Sequence, residues 1–279
     1  MAQPYDVATP DGFPLSEMLT VCGHRVRVDV EGAPAAGGVP LLLVNGIGAP
    51  IELWRPLRRS LGGQTIAFDA PGTGESPPSA WPLRMREQAA IAAGVLDALG
   101  VDIADVLGFS YGGMVAQEFA VAYRDRLRRL VLASTACGWG GIPGSPVAVS
   151  ILGLPHRNYS AQLFGALAPY YVGGAESRDR RFLAEQGRLR ARHPPSSRGY
   201  LYQWTAAASW SSLPWLRRLT APTLVLTGSA DPLVPAGNAR ILAQKIRGST
   251  VHVMPDGGHL CLLQRAPEAA VVVNRFLSR

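Results

Sequence analysis

The chain of 279 residues is short of cysteine, of charge and of long apolar runs, and each shortage excludes something. Its three cysteines, Cys22, Cys137 and Cys261, are odd in number and far apart, which argues against a disulfide framework and gives no metal-ligand spacing. No uncharged apolar span reaches the length of a membrane helix, and Met1 to Leu15 lacks a basic stretch followed by an apolar core, so neither a transmembrane segment nor an export signal is expected. These absences together point to the cytoplasm. Charged residues are only 17% against 47% hydrophobic, enough apolar material for one large core and no signature of disorder. There is no internal repeat and no low-complexity tract. The net charge is +7, yet the basic residues are not interleaved with a nucleic-acid-binding motif, so nucleic acid is not an expected partner.

Hydrophobic periodicity alternates between two and 3.6 residues along the chain. Strands are predicted over His24–Val30, Leu41–Val44, Thr65–Phe68, Asp105–Phe109, Leu130–Ser134, Thr223–Thr227 and Thr250–Met254. Helices are predicted over Ile51–Leu61, Met85–Leu99, Gly113–Tyr123, Ala236–Lys245 and Pro267–Leu277. Apolar strands alternating with helices imply an α/β fold, a mostly parallel sheet covered by helices on both faces. The rhythm breaks between about Cys137 and Trp215, where no strand of that kind occurs. We therefore expect a core of residues 1–136 and 216–279 with a helical lid insertion over 137–215.

The most informative stretch is Gly108-Phe109-Ser110-Tyr111-Gly112, which follows an apolar strand and opens a helix. A sharp strand-to-helix turn forces its central residue into a strained backbone that only small neighbours tolerate, and it exposes a serine oxygen at the helix N-terminus. A serine hydroxyl needs a base, and His259 lies on a loop after the last predicted strand. His24 and His252 fall in alternating strand patterns, and His156 and His193 in polar, Pro-containing loops. The imidazole needs an orienting carboxylate. Asp231 follows the strand Thr223–Thr227 and is the candidate; Asp256 is too close to His259 in sequence and is expected to serve its turn. Ser110, Asp231 and His259 follow one another in the chain order of α/β-hydrolases.

Two backbone N–H groups are expected to receive a developing oxyanion, that of Tyr111 and that of Ile47 in the loop Asn45-Gly46-Ile47-Gly48. The Asn45 side chain can bond this loop. The loop lacks a P-loop lysine and the third glycine of a dinucleotide fingerprint, so no nucleotide is expected there, and no cofactor or metal is expected elsewhere. The insertion holds Trp139, Tyr159, Phe164, Tyr170, Tyr171, Phe182, Tyr200, Tyr202, Trp204, Trp210 and Trp215, which suit an apolar cleft, although most should build a small core of their own. It also carries Arg178, Arg180, Arg181, Arg188, Arg190, Arg192 and Arg198. Such a run is ordinarily a solvated face, and its sharper reading is docking to an acidic granule surface or an acyl carrier protein.

On these residues the chain resembles the intracellular depolymerases of medium-chain-length polyhydroxyalkanoates, within the α/β-hydrolase superfamily. Beyond Asp69 to Ser76, a general mark of the superfamily, the matching segments are Asn45 to Ala49 with Glu52-Leu53, the aromatic Tyr111, Ala116-Gln117 with Phe119-Ala120, Leu130 to Ala133 with Thr135-Ala136, Tyr202 and Trp204, Asp231-Pro232-Leu233 and Gly258-His259-Leu260. The resemblance implies a serine ester hydrolase acting on aliphatic 3-hydroxyacyl esters, with Asn45, Tyr202 and Trp204 near the substrate. An esterase, thioesterase or lactonase of natural-product metabolism, an acyl-eliminating lyase, or a binding protein on the same scaffold are the alternatives, because a fold by itself does not set the chemistry.

Overall fold

The computed structural model describes residues 16–33 and 38–279; Met1 to Leu15, read above for an export signal, lies outside them. Strand β1 (Glu17–Val21) and strand β2 (His24–Glu31) form a hairpin closed by Cys22 and Gly23, both with positive φ (50° and 77°), which matches the twist of a two-residue turn. β1 was not expected from the sequence. Only Val21 of its five residues is buried, so an exposed edge strand carries almost no alternation.

β2 pairs antiparallel with β4 (Thr65–Phe68). From there β3 (Leu41–Val44), β4, β5 (Ala104–Phe109), β6 (Leu127–Ala133), β7 (Thr223–Gly228) and β8 (Thr250–Met254) run parallel, in the spatial order β1-β2-β4-β3-β5-β6-β7-β8. The chain leaves β3 for β4 on one side and returns to β5 on the other. The loops after β3 and β5 therefore sit side by side at the carboxyl ends, the switch point where open α/β sheets bind ligands.

Alternate residues of each central strand feed opposite cores. Leu42, Val106 and Leu132 pack with α2 (Met85–Ala98), α3 (Tyr111–Ala122) and α8 (Gly237–Lys245); Leu43, Leu107 and Val131 pack with α1 (Arg55–Arg58), α9 (Cys261–Gln264) and α10 (Ala266–Leu277). The helix predicted over Ile51–Leu61 is instead a 3-10 turn, Ile51–Trp54, followed by the single turn α1, with Pro56 in its first turn, where a missing N–H is harmless. α3 begins at Tyr111, two residues before the predicted start, because the non-helical Ser110 is itself the residue that caps it.

Between β6 and β7 lie α4 (Pro146–Leu152), α5 (Ala161–Val172), α6 (Arg180–Arg192) and α7 (Ser197–Ala208). Phe164, Tyr171, Phe182 and Tyr200 are buried among them, while Trp139 and Tyr170 are exposed. Two arginines belong to this interior. Arg157 lies 5.4 Å from the Tyr171 ring and 5.3 Å from the Tyr200 ring, and Arg190 lies 4.7 Å from that of Phe164. Arg190 thus departs from the solvated face expected of the arginine run, and its burial lowers its pKa to about 10.

A charge cluster, buried except for Glu75 at its exposed rim, holds the loop after β3 to the sheet. Arg27 of β2 places Nε 2.7 Å from Asp69 and its terminal nitrogens 2.9 Å from Glu52 and 2.6 Å from Glu75. Asp69, fully buried, also accepts from the N–H groups of Ile51 (2.9 Å) and Glu75 (3.0 Å). Removing one partner of such a cluster leaves unpaired charge in the interior. Arg27→Met is therefore expected to destabilise the protein by about 3–5 kcal/mol, read as a lower urea midpoint at unchanged slope.

Candidate active site

Ser110 has φ 53° and ψ −116°, a region that costs a non-glycine residue roughly 1–3 kcal/mol. The surroundings impose it. A Cβ on Gly108 would run into the Gly112 carbonyl, and one on Gly112 into the Val44 carbonyl, so the strand, the helix and the neighbouring loop can close up only with glycine at both positions. The strained residue keeps its backbone hydrogen bonds: its N–H donates to Ala133 (2.9 Å), and its carbonyl accepts from Gly113 N–H (2.9 Å) and the Thr135 hydroxyl (2.7 Å).

Three of the expected residues meet here. His259 Nε2 is 3.0 Å from Ser110 Oγ, and His259 Nδ1 is 2.8 Å from Asp231 Oδ2. Asp231 Oδ1 accepts from the N–H groups of Leu233 and Val234, both at 2.8 Å, which fixes the carboxylate and aims its other oxygen at the ring. Asp231 and His259 are both buried. Asp256 stands apart. Its carboxylate pairs with Arg178 of the insertion rather than closing its own turn. Cys261, two residues beyond His259, is no rival nucleophile, because burial pushes its thiol up to about 12.

The loop after β3 turns at Ile47 and Gly48, with Ala49 N–H bonded to Gly46 at 3.1 Å. Neither Ile47 N–H nor Tyr111 N–H has an acceptor among the described residues, so both remain available to a ligand oxygen. Asn45 braces this loop as its chemistry suggests, donating from Nδ2 to the Pro50 carbonyl (2.7 Å) and accepting from Gly46 N–H (3.1 Å). Tyr202 and Trp204 are half-buried on α7. Tyr202 Oη stands 3.5 Å from the Ala80 carbonyl, and a Cβ on Gly153 would lie 4.0 Å from the Trp204 ring.

Sequence reasoning missed the residues through which the insertion reaches this site. Gln203, between Tyr202 and Trp204, is buried and accepts Gly48 N–H at 2.9 Å. The stretch after α5 grips the His259 loop. His259 N–H donates to Val172 (2.6 Å), Ala175 N–H to Asp256 (2.8 Å), and Gly258 N–H to the buried Glu176 carboxylate (2.6 Å). Gly173 and Gly174, at φ 70° and 57°, let this stretch pass against the loop without side chains between them. Burial raises the Glu176 pKa and the backbone N–H groups oppose it; its other oxygen has no partner among the described residues. Nothing in the local sequence of Glu176 marks it for burial.

Glu52, Glu75 and His193 form a group of metal-ligand type among the described residues. The Arg27 guanidinium already bonds both carboxylates, so a cation would have to displace it. The cluster fits an ion-paired brace better than a metal centre.

The family model described as alpha/beta hydrolase fold matches residues 39–266. A poly(3-hydroxyalkanoate) depolymerase of Ectopseudomonas oleovorans is 39% identical over 242 residues, 86% of this chain and 84% of that protein. A 2-hydroxymuconate semialdehyde hydrolase of Pseudomonas sp. (strain CF600) is 27% identical over 277 residues, 93% of each chain. Among solved structures, the enol-lactonase from Burkholderia xenovorans LB400 superposes with a TM-score of 0.82 at 23% identity, over 94% of this chain and 100% of that one, a likeness of fold. Truncating Glu176 should leave Gly258 N–H unpaired in the interior. Glu176→Ala is thus expected to cost about 1–3 kcal/mol in denaturant unfolding, and Glu176→Gln, which keeps an acceptor oxygen, distinctly less.

Proposed function

Because this chain belongs to the alpha/beta hydrolase fold family, we propose that it is a serine ester hydrolase acting on aliphatic 3-hydroxyacyl esters. The observation that carries the reading is the hydrogen-bonded series Ser110, His259, Asp231 on a strained strand-to-helix turn, with distances of 3.0 and 2.8 Å. Ser110 Oγ attacks the ester carbonyl as His259 Nε2 takes its proton, and the oxyanion is received by the N–H groups of Ile47 and Tyr111. The imidazolium returns the proton to the leaving alkoxide, giving acyl-Ser110 and alcohol. A water then attacks the acyl group, its proton passing to His259 and on to Ser110 as the acid departs. Asp231 keeps the ring in the tautomer that presents a free Nε2 and stabilises its cation.

The substrate class rests on the 39% identity to the depolymerase. The helical insertion over 137–215 acts as the lid, and Trp204 and Tyr202 on α7, with Asn45, face the acyl chain. The basic face of α5 and α6, where Arg178, Arg180 and Arg188 border a groove of about 790 Å³, suits docking to an acidic partner such as a granule surface or an acyl carrier protein. Three free cysteines fit work in the cytoplasm. No helix among the described residues is long and apolar enough to cross a membrane.

Ser110→Ala and His259→Ala are each expected to lower kcat on p-nitrophenyl esters on the order of 10⁴-fold, the double variant little further, since the pair acts as a unit. Asp231→Asn should cost orders of magnitude and Asp256→Asn little; a crippled Asp256→Asn would remove Asp231 from its role. Each added CH₂ buried is worth about 0.8 kcal/mol, so kcat/KM is expected to rise several-fold per pair of acyl carbons until the cleft is full. Trp204→Ala should flatten that rise more than it slows acetate hydrolysis, as measured on an ester series of graded length.

A further inference from the structure

Tyr111 presents two groups to the site. Its N–H faces the reacting carbonyl in the hydrolase reading above, on which this inference rests, while its side chain points elsewhere. The ring is buried, and its hydroxyl has no hydrogen-bond partner among the described residues. Burial holds the phenol well above its ordinary pKa, so it stays a neutral O–H. Leaving a buried polar atom without a partner is costly, so such an atom calls for a group that can bond it.

The room is there. Tyr111 lines a small cavity together with Asn45 and Gly46 of the loop after β3, Gln88 of α2 and Gln203 of α7. Gln203 must turn its Oε1 toward Gly48, because a backbone N–H can only donate. Its Nε2 is left as a donor with no partner among the described residues. The Gln88 side chain, also buried, makes no hydrogen bond among them either. Three polar side chains, from α2, α3 and α7, thus line one space without satisfying one another.

Size and position narrow the occupant. The cavity holds about 10 Å³ for a water-sized group, room for one hydroxyl or one water and not for a length of acyl chain. Two of its lining residues sit next to the nucleophile: Tyr111 follows Ser110 in the chain, and a Cβ on Gly46 would lie 3.6 Å from Ser110 Cβ. A group held there is one tyrosine side chain away from the carbonyl that Tyr111 N–H faces, so it belongs to one of the first carbons of the acyl chain. The geometry points to a polar subsite formed by Tyr111 Oη, Gln203 Nε2 and Gln88, which takes a hydroxyl substituent on the acyl part of the substrate. The phenol and the two amides between them offer both donors and acceptors, which a hydroxyl, itself both, can use.

The test compares p-nitrophenyl 3-hydroxyoctanoate, as separate enantiomers, with p-nitrophenyl octanoate on the wild-type protein and on Tyr111→Phe and Gln88→Leu. The quantity read is the ratio of kcat/KM for hydroxylated over plain ester, which cancels any general loss of activity or folded protein. The wild type is expected to favour one enantiomer over the plain ester on the order of ten-fold, and Tyr111→Phe and Gln88→Leu are each expected to bring that ratio toward one. Equal turnover of all three esters by the wild type would make the cavity a water site and overturn the subsite while leaving the hydrolase standing. A preference that survives in both variants would overturn it as well. Absence of turnover of any ester would overturn the hydrolase reading and the subsite with it.

Discussion

The close approach of β5, α3 and the loop after β3 is the constraint on which the rest of the site depends. Gly108 lies against Gly112, and Gly112 against Val44, and Ser110 between them takes neither a helical nor an extended conformation. Its strain is held by hydrogen bonds to Ala133, Gly113 and Thr135, which belong to β6, to α3 and to the loop that follows β6. The same contact brings Gly46 beside the serine, where a Cβ on it would lie 3.6 Å from Ser110 Cβ. The strain here has one source, the close approach that the missing Cβ atoms of Gly108 and Gly112 permit.

The helical insertion is fastened to the sheet at the two loops that matter. Gln203 bonds Gly48 on one side, and Val172, Ala175 and Glu176 bond the His259 loop on the other. On the outside, Arg178 pairs with Asp256, and His193 sits 3.6 Å from Glu52 and 3.7 Å from Glu75 at the edge of the Arg27 cluster. A helical segment joined in this way cannot shift without tugging on the serine's neighbours or on the histidine. Changes in the insertion therefore also act on the geometry around Ser110 and His259.

Polar burial near the site is of two kinds. Asp231 spends both carboxylate oxygens, one on Leu233 and Val234 and one on His259, and is rigid for that reason. Tyr111 Oη and Glu176 Oε1 each lack a partner among the described residues. Tyr111 lines a cavity with its free hydroxyl, while the other Glu176 oxygen, Oε2, is the one that supports the His259 loop.

Local pattern was enough for the alternation of strands and helices, for the order Ser110, Asp231, His259, and for the loops that carry them. Each of these is written in consecutive residues: apolar runs of four to six, a glycine on either side of a serine, a carboxylate or histidine at a strand end. Boundaries slipped where a few exposed residues, as in β1, or a proline, as at Pro56, weakened the period. The burial of Arg190 and Glu176, the pairing of Asp256 with Arg178, and the role of Gln203 were invisible in the sequence. Gln203 meets Gly48 across 155 positions and Glu176 meets Gly258 across 82, and a glutamine or glutamate reads as surface until the fold supplies a buried partner. Nearby residues dictated which elements form and which of their ends carry Ser110, Asp231 and His259. Only tertiary packing decided which polar groups were taken from water and what they were left to bond, because that depends on neighbours the chain brings from far away.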